Sequence, residues 1–166
     1  MGNPHVEKAH GLSREAFVAL YPGFFLLKRP RQSGASSTPA PEFGFATIAT
    51  KVDIDPFAHE WLVLPVSKRA GNPFPERLTI GRAQNNDIVL RVPFVSKLHA
   101  HILLEPDQSF SLQDNRSARG SFHNQRRLVE RETFPLKLGD VLGFGSLEFE
   151  FVDGARLYDV LRAEAR

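Results

Sequence analysis

Short segments in which apolar and polar residues alternate dominate the chain from Trp61 onward. Residues 146–151 read Ser-Leu-Glu-Phe-Glu-Phe, and residues 99–104 and 110–113 show the same period of two. Alternation of this kind predicts strands with one face in a core and the other in water. Turn-forming clusters separate these segments at residues 85–87, 106–108, 114–117 and 139–140. Many short strands with such punctuation predict a β-sandwich.

Helical spacing is confined to the two ends of the chain. Ser13 can cap a short helix over residues 13–21, which Pro22 stops and an apolar exit follows. Near the other end, residues 155–163 place Leu157 and Leu161 on one helical face. We therefore expect a short helix before the strands and another after them.

A change in composition divides the chain. Residues 28–42 are basic and then rich in Ser, Pro and Ala, which predicts a linker, and the alternation at residues 43–47 allows a strand. Residues 1–60 are accordingly interpreted as an N-terminal extension, residues 61–152 as the β-sandwich and residues 153–166 as a C-terminal helix. The predicted fold class is all-β, with short helices at both ends.

The composition and net charge of the chain exclude several classes of function. A length of 166 residues with 42% hydrophobic and 24% charged residues suits one domain with appendages. The formal charge of +2 gives no uniform field, so recognition of an anion has to be local. The absence of cysteine excludes disulfides and thiolate chemistry. No apolar run reaches the roughly 18 residues of a membrane helix, and we expect a cytoplasmic protein without a membrane partner.

The predicted loops carry four polar signatures whose chemistry suits a phosphate group. A phosphate monoester has nearly two negative charges and three acceptor oxygens at neutral pH, so its receptor needs fixed donors. An arginine supplies a planar fork, and a serine and backbone N–H groups supply further donors. The four signatures are Gly81-Arg82, Asn86-Asp87, residues 95–100 and residues 114–124.

The order and spacing of these signatures resemble the forkhead-associated domain, a β-sandwich family that binds phosphothreonine peptides. The resemblance covers about residues 61–152. It rests on Gly81-Arg82, Ser96-x-x-His99, Gly120-Ser121-x-x-Asn124 and the turn-and-strand pattern at residues 138–145.

The resemblance implies a role for each matched residue. Arg82 and Ser96 are expected to hold the phosphate, with Lys97 as an added cation. Ser117, Ala118 and Arg119 are expected to face the peptide. This loop departs from the family, which usually has Asn at the position of Arg119 and often a hydroxyl residue at that of Ala118.

Other matched residues are expected to be structural. Gly81 and Gly120 suit backbone conformations that side chains obstruct, and Asn86 and Asn124 are expected to tie loops together. His99 is expected to hydrogen-bond within the loop architecture. Ser96, His99 and Asp114 could form a hydrolytic triad, but no strained Gly-x-Ser-x-Gly elbow is present, so we expect no enzyme activity. We also expect no metal site and no cofactor.

The sequence thus predicts a phosphothreonine-binding adaptor whose partner is phosphorylated by a Ser/Thr kinase. Ala118 and Arg119 keep a second interpretation open, in which the pocket is degenerate and the protein mediates phosphate-independent interaction or assembly. Basic stretches at residues 28–31 and 126–131 could contact nucleic acid. Without an aromatic stacking platform beside them we interpret them as solvated charge and expect no nucleic-acid partner.

Overall fold

Two facing β-sheets and a layer of helices make up the part of the chain that the structure describes. The structure is a computed structural model, and it describes residues 4–30, 51–52 and 61–163. The elements in chain order are α1 (Pro4–Gly11), α2 (Arg14–Leu20), β1 (Phe24–Lys28), β2 (Lys51–Val52), β3 (Leu62–Pro65), β4 (Arg77–Gly81), β5 (Ile88–Leu90), β6 (Ala100–Leu104), β7 (Phe110–Asp114), β8 (Ser121–His123), β9 (Arg126–Arg127), β10 (Thr133–Pro135), β11 (Val141–Phe144), β12 (Leu147–Asp153) and α3 (Gly154–Ala163).

Each sheet has six strands within these residues. The first has the order β3-β1-β12-β11-β8-β9 and the second the order β10-β7-β6-β4-β5-β2. Neighbouring strands are antiparallel, except that β5 runs parallel to both β4 and β2. Side chains from both sheets form one apolar core between them, including Leu26, Phe149 and Phe151 of the first sheet and Ile80, Ile102 and Leu112 of the second. The sheet-rich sandwich is as predicted, although three helices make the term all-β too narrow.

Strand β1 is the main difference from the sequence-based prediction, which treated residues 24–27 as an apolar exit from a helix. The strand lies between β3 and β12 and pairs with both. Phe25 and Leu27 pack under the helices, whereas Leu26 belongs to the core between the sheets. A continuous apolar run is typical of a strand that is buried on both faces, and alternation fails to reveal it for that reason.

The three helices cover the outer face of the first sheet. Ser13 caps α2, since its hydroxyl accepts the Ala16 N–H at 3.2 Å, as predicted. Phe17 is fully buried and stacks on Tyr21 at a ring-centroid distance of 4.4 Å. Arg14 forms an ion pair with Asp159 of α3 at 3.0 Å. The helices at the two ends of the chain therefore pack into one apolar cluster.

Helix α1 is absent from the sequence-based prediction. It contains little apolar surface, and Ala9 supplies its fully buried contact. Burial against α2 and α3, rather than its own amphipathic pattern, accounts for the helix. The predicted linker at residues 28–42 lies mostly outside the described residues, and the predicted strand at residues 43–47 lies wholly outside them.

Replacement of Phe17 tests whether the helical layer contributes to the stability of the sandwich. Phe17→Ala removes a fully buried ring, and we expect a loss of about 3–5 kcal/mol in the free energy of unfolding. Leu20→Ala is the matched control on the same helix, because Leu20 is 60% exposed, and it should change that free energy by less than about 0.5 kcal/mol. Urea denaturation measures both. Equal values for the two variants would contradict the packing of this layer.

Candidate functional site

The loop between β4 and β5 is held by the buried carboxylate of Asp87. Its oxygens accept the backbone N–H groups of Thr79 and Arg69, each at 2.8 Å, and the Lys68 ammonium lies 3.7 Å away. The Asp87 N–H in turn donates to the Thr79 hydroxyl at 3.1 Å. These bonds hold the short loop between the two strands. As a result β5 begins beside the end of β4 and pairs with it in parallel.

Asn86 and Gly81 fix this loop against the segment at residues 91–99. The Asn86 Nδ2 donates to the carbonyl oxygens of Ala83 at 2.8 Å and Lys97 at 2.7 Å. A Cβ atom at Gly81 would collide with the Lys97 carbonyl and lie 2.9 Å from the Asn86 Nδ2. Close approach of two backbones therefore requires glycine at this position.

Arg82 and Ser96 lie side by side on these two loops. The Arg82 N–H donates to the Ser96 carbonyl at 2.9 Å, and the Arg82 Nε donates to the Val95 carbonyl at 3.0 Å. The second bond orients the guanidinium of an exposed side chain. Within the described residues its two terminal amino groups have no hydrogen-bond partner, so the fork is open to a ligand.

The site lies on three loops, which are the loop between β4 and β5, a second loop at residues 91–99 and a third loop between β7 and β8. The Ser96 hydroxyl connects the second loop to the third. Its Oγ accepts the Ala118 N–H at 3.1 Å. Because that bond uses a lone pair, the hydroxyl hydrogen can still be donated to an anion. Lys97, which follows Ser96, is exposed and donates no hydrogen bond to a described carboxylate.

His99 is fully buried and joins the second loop to the start of β8. Its Nδ1 accepts the Ser96 N–H at 3.1 Å, so the ring hydrogen sits on Nε2, which donates to the Gly120 carbonyl at 2.9 Å. Burial lowers the pKa of His99, in spite of the bond to Gly120 that raises it. The site therefore needs the neutral imidazole.

Ser117 differs from its predicted role as a residue that faces the peptide. Its side chain is 8% exposed, and its hydroxyl and N–H donate to the two oxygens of Asp114. The Ser121 hydroxyl donates to the same carboxylate at 2.7 Å. Asp114 thus turns Ser117 inward, and the pattern of Asp followed three residues later by Ser is a signal that could have revealed it.

Ala118 and Arg119, which were predicted to face the peptide, are exposed. Gly120 then adopts a φ of +87°, which glycine readily accepts. A Cβ atom at Gly120 would lie 2.7 Å from the Arg127 Nε, so the Arg127 side chain lies across this glycine. Sequence reasoning missed Arg127 as a neighbour of the site, because it lies on a different strand, β9.

Asn124 lies in the turn between β8 and β9 and bonds to β11. Its N–H donates to the Val141 carbonyl at 2.8 Å, and its Oδ1 accepts the Val141 N–H at the same distance. Asn124 and Gln125 both have positive φ, of 48° and 70°. Asn124 therefore stabilises the turn between β8 and β9, and it does not lie with Arg82 and Ser96.

Ser96, His99 and Asp114 do not form a catalytic relay. The His99 ring bonds to the Ser96 backbone and to Gly120, and Asp114 bonds to serines. The described residues contain no group of three or more potential metal ligands. In the same part of the chain, no helix has the length and apolar character needed to cross a bilayer.

The electrostatic character of the three loops is set by exposed cations. Arg82, Lys97, Arg119 and Arg127 are all exposed, and none forms an ion pair with a described carboxylate. The nearby carboxylates, Asp87 and Asp114, are buried and bonded within the loops. The arrangement combines oriented donors with unneutralised positive charge.

Two sheets with a polar site on their connecting loops define a recognition domain of the β-sandwich class. The FHA domain family model matches residues 78–145, which run from β4 to the residue after β11. This part of the chain is a forkhead-associated (FHA) domain, as the loop motifs predict.

The ABC transporter ATP-binding/permease protein Rv1747 of Mycobacterium tuberculosis is 34% identical over 92 residues, which are 55% of this chain. The chain spans about a tenth of this relative, since the alignment covers 10% of the transporter. The solved FHA-2 domain of Rv1747 is also 34% identical, with 54% of this chain and 79% of that chain covered and a TM-score of 0.42. The solved structure of M. tuberculosis EmbR in complex with a low affinity phosphopeptide has 32% sequence identity to this chain. The match covers 46% of this chain and 20% of the EmbR chain, with a TM-score of 0.42.

The pKa of His99 gives a testable dependence of stability on pH. In the unfolded chain His99 binds a proton near its ordinary pKa of 6.5, whereas the folded protein binds it only at lower pH. The unfolded state therefore takes up more protons, and stability is lost as pH falls below that value. His5 and His101, whose pKa values burial also lowers, act in the same direction.

Urea denaturation between about pH 7.5 and about pH 5.5 measures this effect above the range where carboxylates titrate. We expect the free energy of unfolding to decrease across this interval. His99→Gln should be less stable at neutral pH but lose less on acidification, since one titrating group is gone. Parallel pH profiles for the two proteins would contradict the role given to His99.

Proposed function

We propose that the domain is a phosphothreonine-dependent protein-interaction module. The observation that carries the proposal is the pairing of Arg82 and Ser96. Their loops are joined by a backbone bond of 2.9 Å, and both side chains keep donors that no described residue uses. The partner is a protein phosphorylated on threonine by a Ser/Thr kinase, and the domain binds this partner without a chemical step.

The donor set matches a phosphate monoester better than a carboxylate. The Arg82 fork can donate to two oxygens while the Ser96 hydroxyl and the Lys97 ammonium donate to the third or share them. Hydrogen bonds to charged groups contribute about 1.5–3 kcal/mol each. Two or three of them suffice for a reversible complex after the entropic cost of association.

Recognition of phosphorylated motifs through arginines is a known mode of FHA domains, which supports this assignment. Preference for phosphothreonine over phosphoserine would come from a niche for the γ-methyl group. Burial of one methyl contributes about 0.8 kcal/mol, or about fourfold in affinity. Ala118 and Arg119, whose side chains are exposed beside Ser96, would contact the peptide next to the phosphate.

Arg82→Ala tests the principal phosphate contact. We expect affinity for a phosphothreonine peptide to fall by about 2–5 kcal/mol, because the dianion loses its main partner. Arg14→Ala is the control that removes the same charge from helix α2, where Arg14 pairs with Asp159, and it should leave affinity unchanged. Calorimetry with phosphorylated and unphosphorylated peptides measures both. Equal affinity of Arg82→Ala and the parent protein, or binding that ignores the phosphate, would reject the assignment.

Ser96→Ala tests the hydroxyl separately from the charge. The variant loses a donor to the phosphate and the acceptor for the Ala118 N–H, and we expect weaker binding by about 1.5–3 kcal/mol. Ser96→Thr keeps the hydroxyl and should retain most of the affinity. If Ser96→Ala binds as tightly as the parent protein, the hydroxyl does not contact the phosphate.

A further inference from the structure

The loop between β3 and β4, at residues 66–76, contacts the loop that carries Arg82. It precedes Gly81-Arg82 in the sequence, and the loop motifs include none of its residues. Two of its side chains reach across to the loop between β4 and β5. The Arg69 guanidinium donates to the Gln84 carbonyl, and the Asn72 amide donates to the Asp87 carboxylate. A segment outside the motifs is therefore bonded directly to the loop of the proposed phosphate donor.

Asn72 satisfies part of the carboxylate that holds the loop between β4 and β5. Its Nδ2 lies 2.6 Å from the Asp87 Oδ2, and the Asp87 side chain is fully buried. A buried carboxylate requires hydrogen-bond donors on its oxygens, because its charge has lost the solvation of water. The backbone N–H groups of Arg69 and Thr79 are two such donors, and Asn72 adds one from a side chain. Removal of the Asn72 amide would leave Asp87 less firmly held.

Asn72 also shapes its own loop. Its N–H donates to the Arg69 carbonyl at 3.3 Å, and its Oδ1 accepts the Phe74 N–H at the same distance. Acceptance of the N–H two residues further along is typical of an Asx turn. The two ends of one amide thus have different partners, one within the loop between β3 and β4 and one on Asp87. This arrangement fixes the position of the donor relative to the carboxylate.

A path of hydrogen bonds leads from Asp87 to the proposed phosphate donors. Asn86, the residue before Asp87, donates to the Lys97 carbonyl at 2.7 Å. The preceding carbonyl, that of Ser96, accepts the Arg82 N–H at 2.9 Å. A displacement of Asp87 would therefore move Asn86 and, with it, the backbone against which Arg82 is held.

We propose that Asn72 is a positioning residue for the phosphate site. Its bond to Asp87 fixes the loop between β4 and β5 and thereby the orientation of the Arg82 guanidinium, without contact between Asn72 and the ligand. A side chain that is oriented before binding loses less conformational freedom in the complex. The proposal rests on the proposed phosphothreonine function and adds a determinant of affinity that lies outside the loop motifs.

Asn72 lines an open groove of about 770 Å³, together with Phe74, Asn85 and Leu98 among others. A ligand that entered this groove would contact Asn72 directly, so two control variants distinguish contact from positioning. Asn85→Ala removes the same amide from the same groove, but the exposed Asn85 side chain bonds to no described residue. Phe74→Ala removes the exposed ring and keeps the N–H that bonds to Asn72.

Two variants of Asn72 separate the bond to Asp87 from the shape of the loop. Asn72→Ala removes both the donor to Asp87 and the acceptor for the Phe74 N–H. Asn72→Ser keeps an acceptor for that N–H, since serine forms similar turns, but its shorter side chain does not reach Asp87. It tests the bond to the carboxylate even where Asn72→Ala does not fold.

Two measurements on the full chain test the proposal. Calorimetry with a phosphothreonine peptide gives the affinity, and heteronuclear NMR gives the rate at which the Arg82 Nε–H exchanges with water. The bond from this group to the Val95 carbonyl slows its exchange, and loss of the signal in Arg82→Ala identifies it. We expect the Asn72 variants to bind about tenfold more weakly and to exchange faster. Asn85→Ala and Phe74→Ala should keep the parent exchange rate and an affinity within about twofold.

Three results would overturn the inference while leaving the proposed function intact. The first is parent affinity in the folded Asn72 variants, and the second is an unchanged exchange rate of the Arg82 Nε–H in them. The third is an equal loss of affinity in Asn85→Ala and Phe74→Ala, which would mean that the groove itself holds the ligand. Failure of the parent protein to bind any phosphothreonine peptide would overturn the proposed function. The exchange rate is measured without ligand, so it would still show whether Asn72 orients Arg82.

Discussion

A single neutral imidazole holds the binding loops in one arrangement. His99 accepts a bond from the Ser96 N–H and donates one to Gly120, and its backbone bonds to Ile80 and Asn115. These bonds link the end of β4, the loop of Ser96 and the loop of Arg119. A protonated ring would place a hydrogen opposite the Ser96 N–H and break that link. The geometry of the proposed phosphate donors therefore depends on a buried group that need not touch the ligand.

The carboxylates of the site stabilise its loops from within, whereas the cations lie exposed on the loop surface. Asp87 and Asp114 are buried and organise two of the loops through bonds to backbone and serine groups. The cations stand on the surface of those loops without described carboxylate partners. With a formal charge of only +2, the chain cannot attract anions through a general field. The separation of buried acids from exposed bases instead leaves a local positive charge on these loops.

Sequence patterns predicted the sandwich and the FHA domain correctly, because alternation and loop motifs depend on residues that lie close together in the sequence. The alternation at residues 146–151 predicts β12 correctly, and the loop motifs predict the FHA domain over β4 to β11. They could not reveal strand β1, whose run of apolar residues is buried on two faces by elements far along the chain. They also predicted that Ser117 contacts the peptide, because its burial by bonds to Asp114 depends on the folded loop. Arg127 was missed since its proximity to Gly120 arises from pairing of β8 with β9.

The arginines of these loops differ in how far their side chains are oriented before any ligand binds. The Arg82 guanidinium is already oriented by its bond to Val95, so that binding of the proposed phosphate would cost little side-chain entropy. Arg119 and Arg127 have no such carbonyl partner among the described residues and lose more freedom when they bind. Among the exposed arginines of these loops, the preorganised Arg82 is therefore the one best suited to hold an anion.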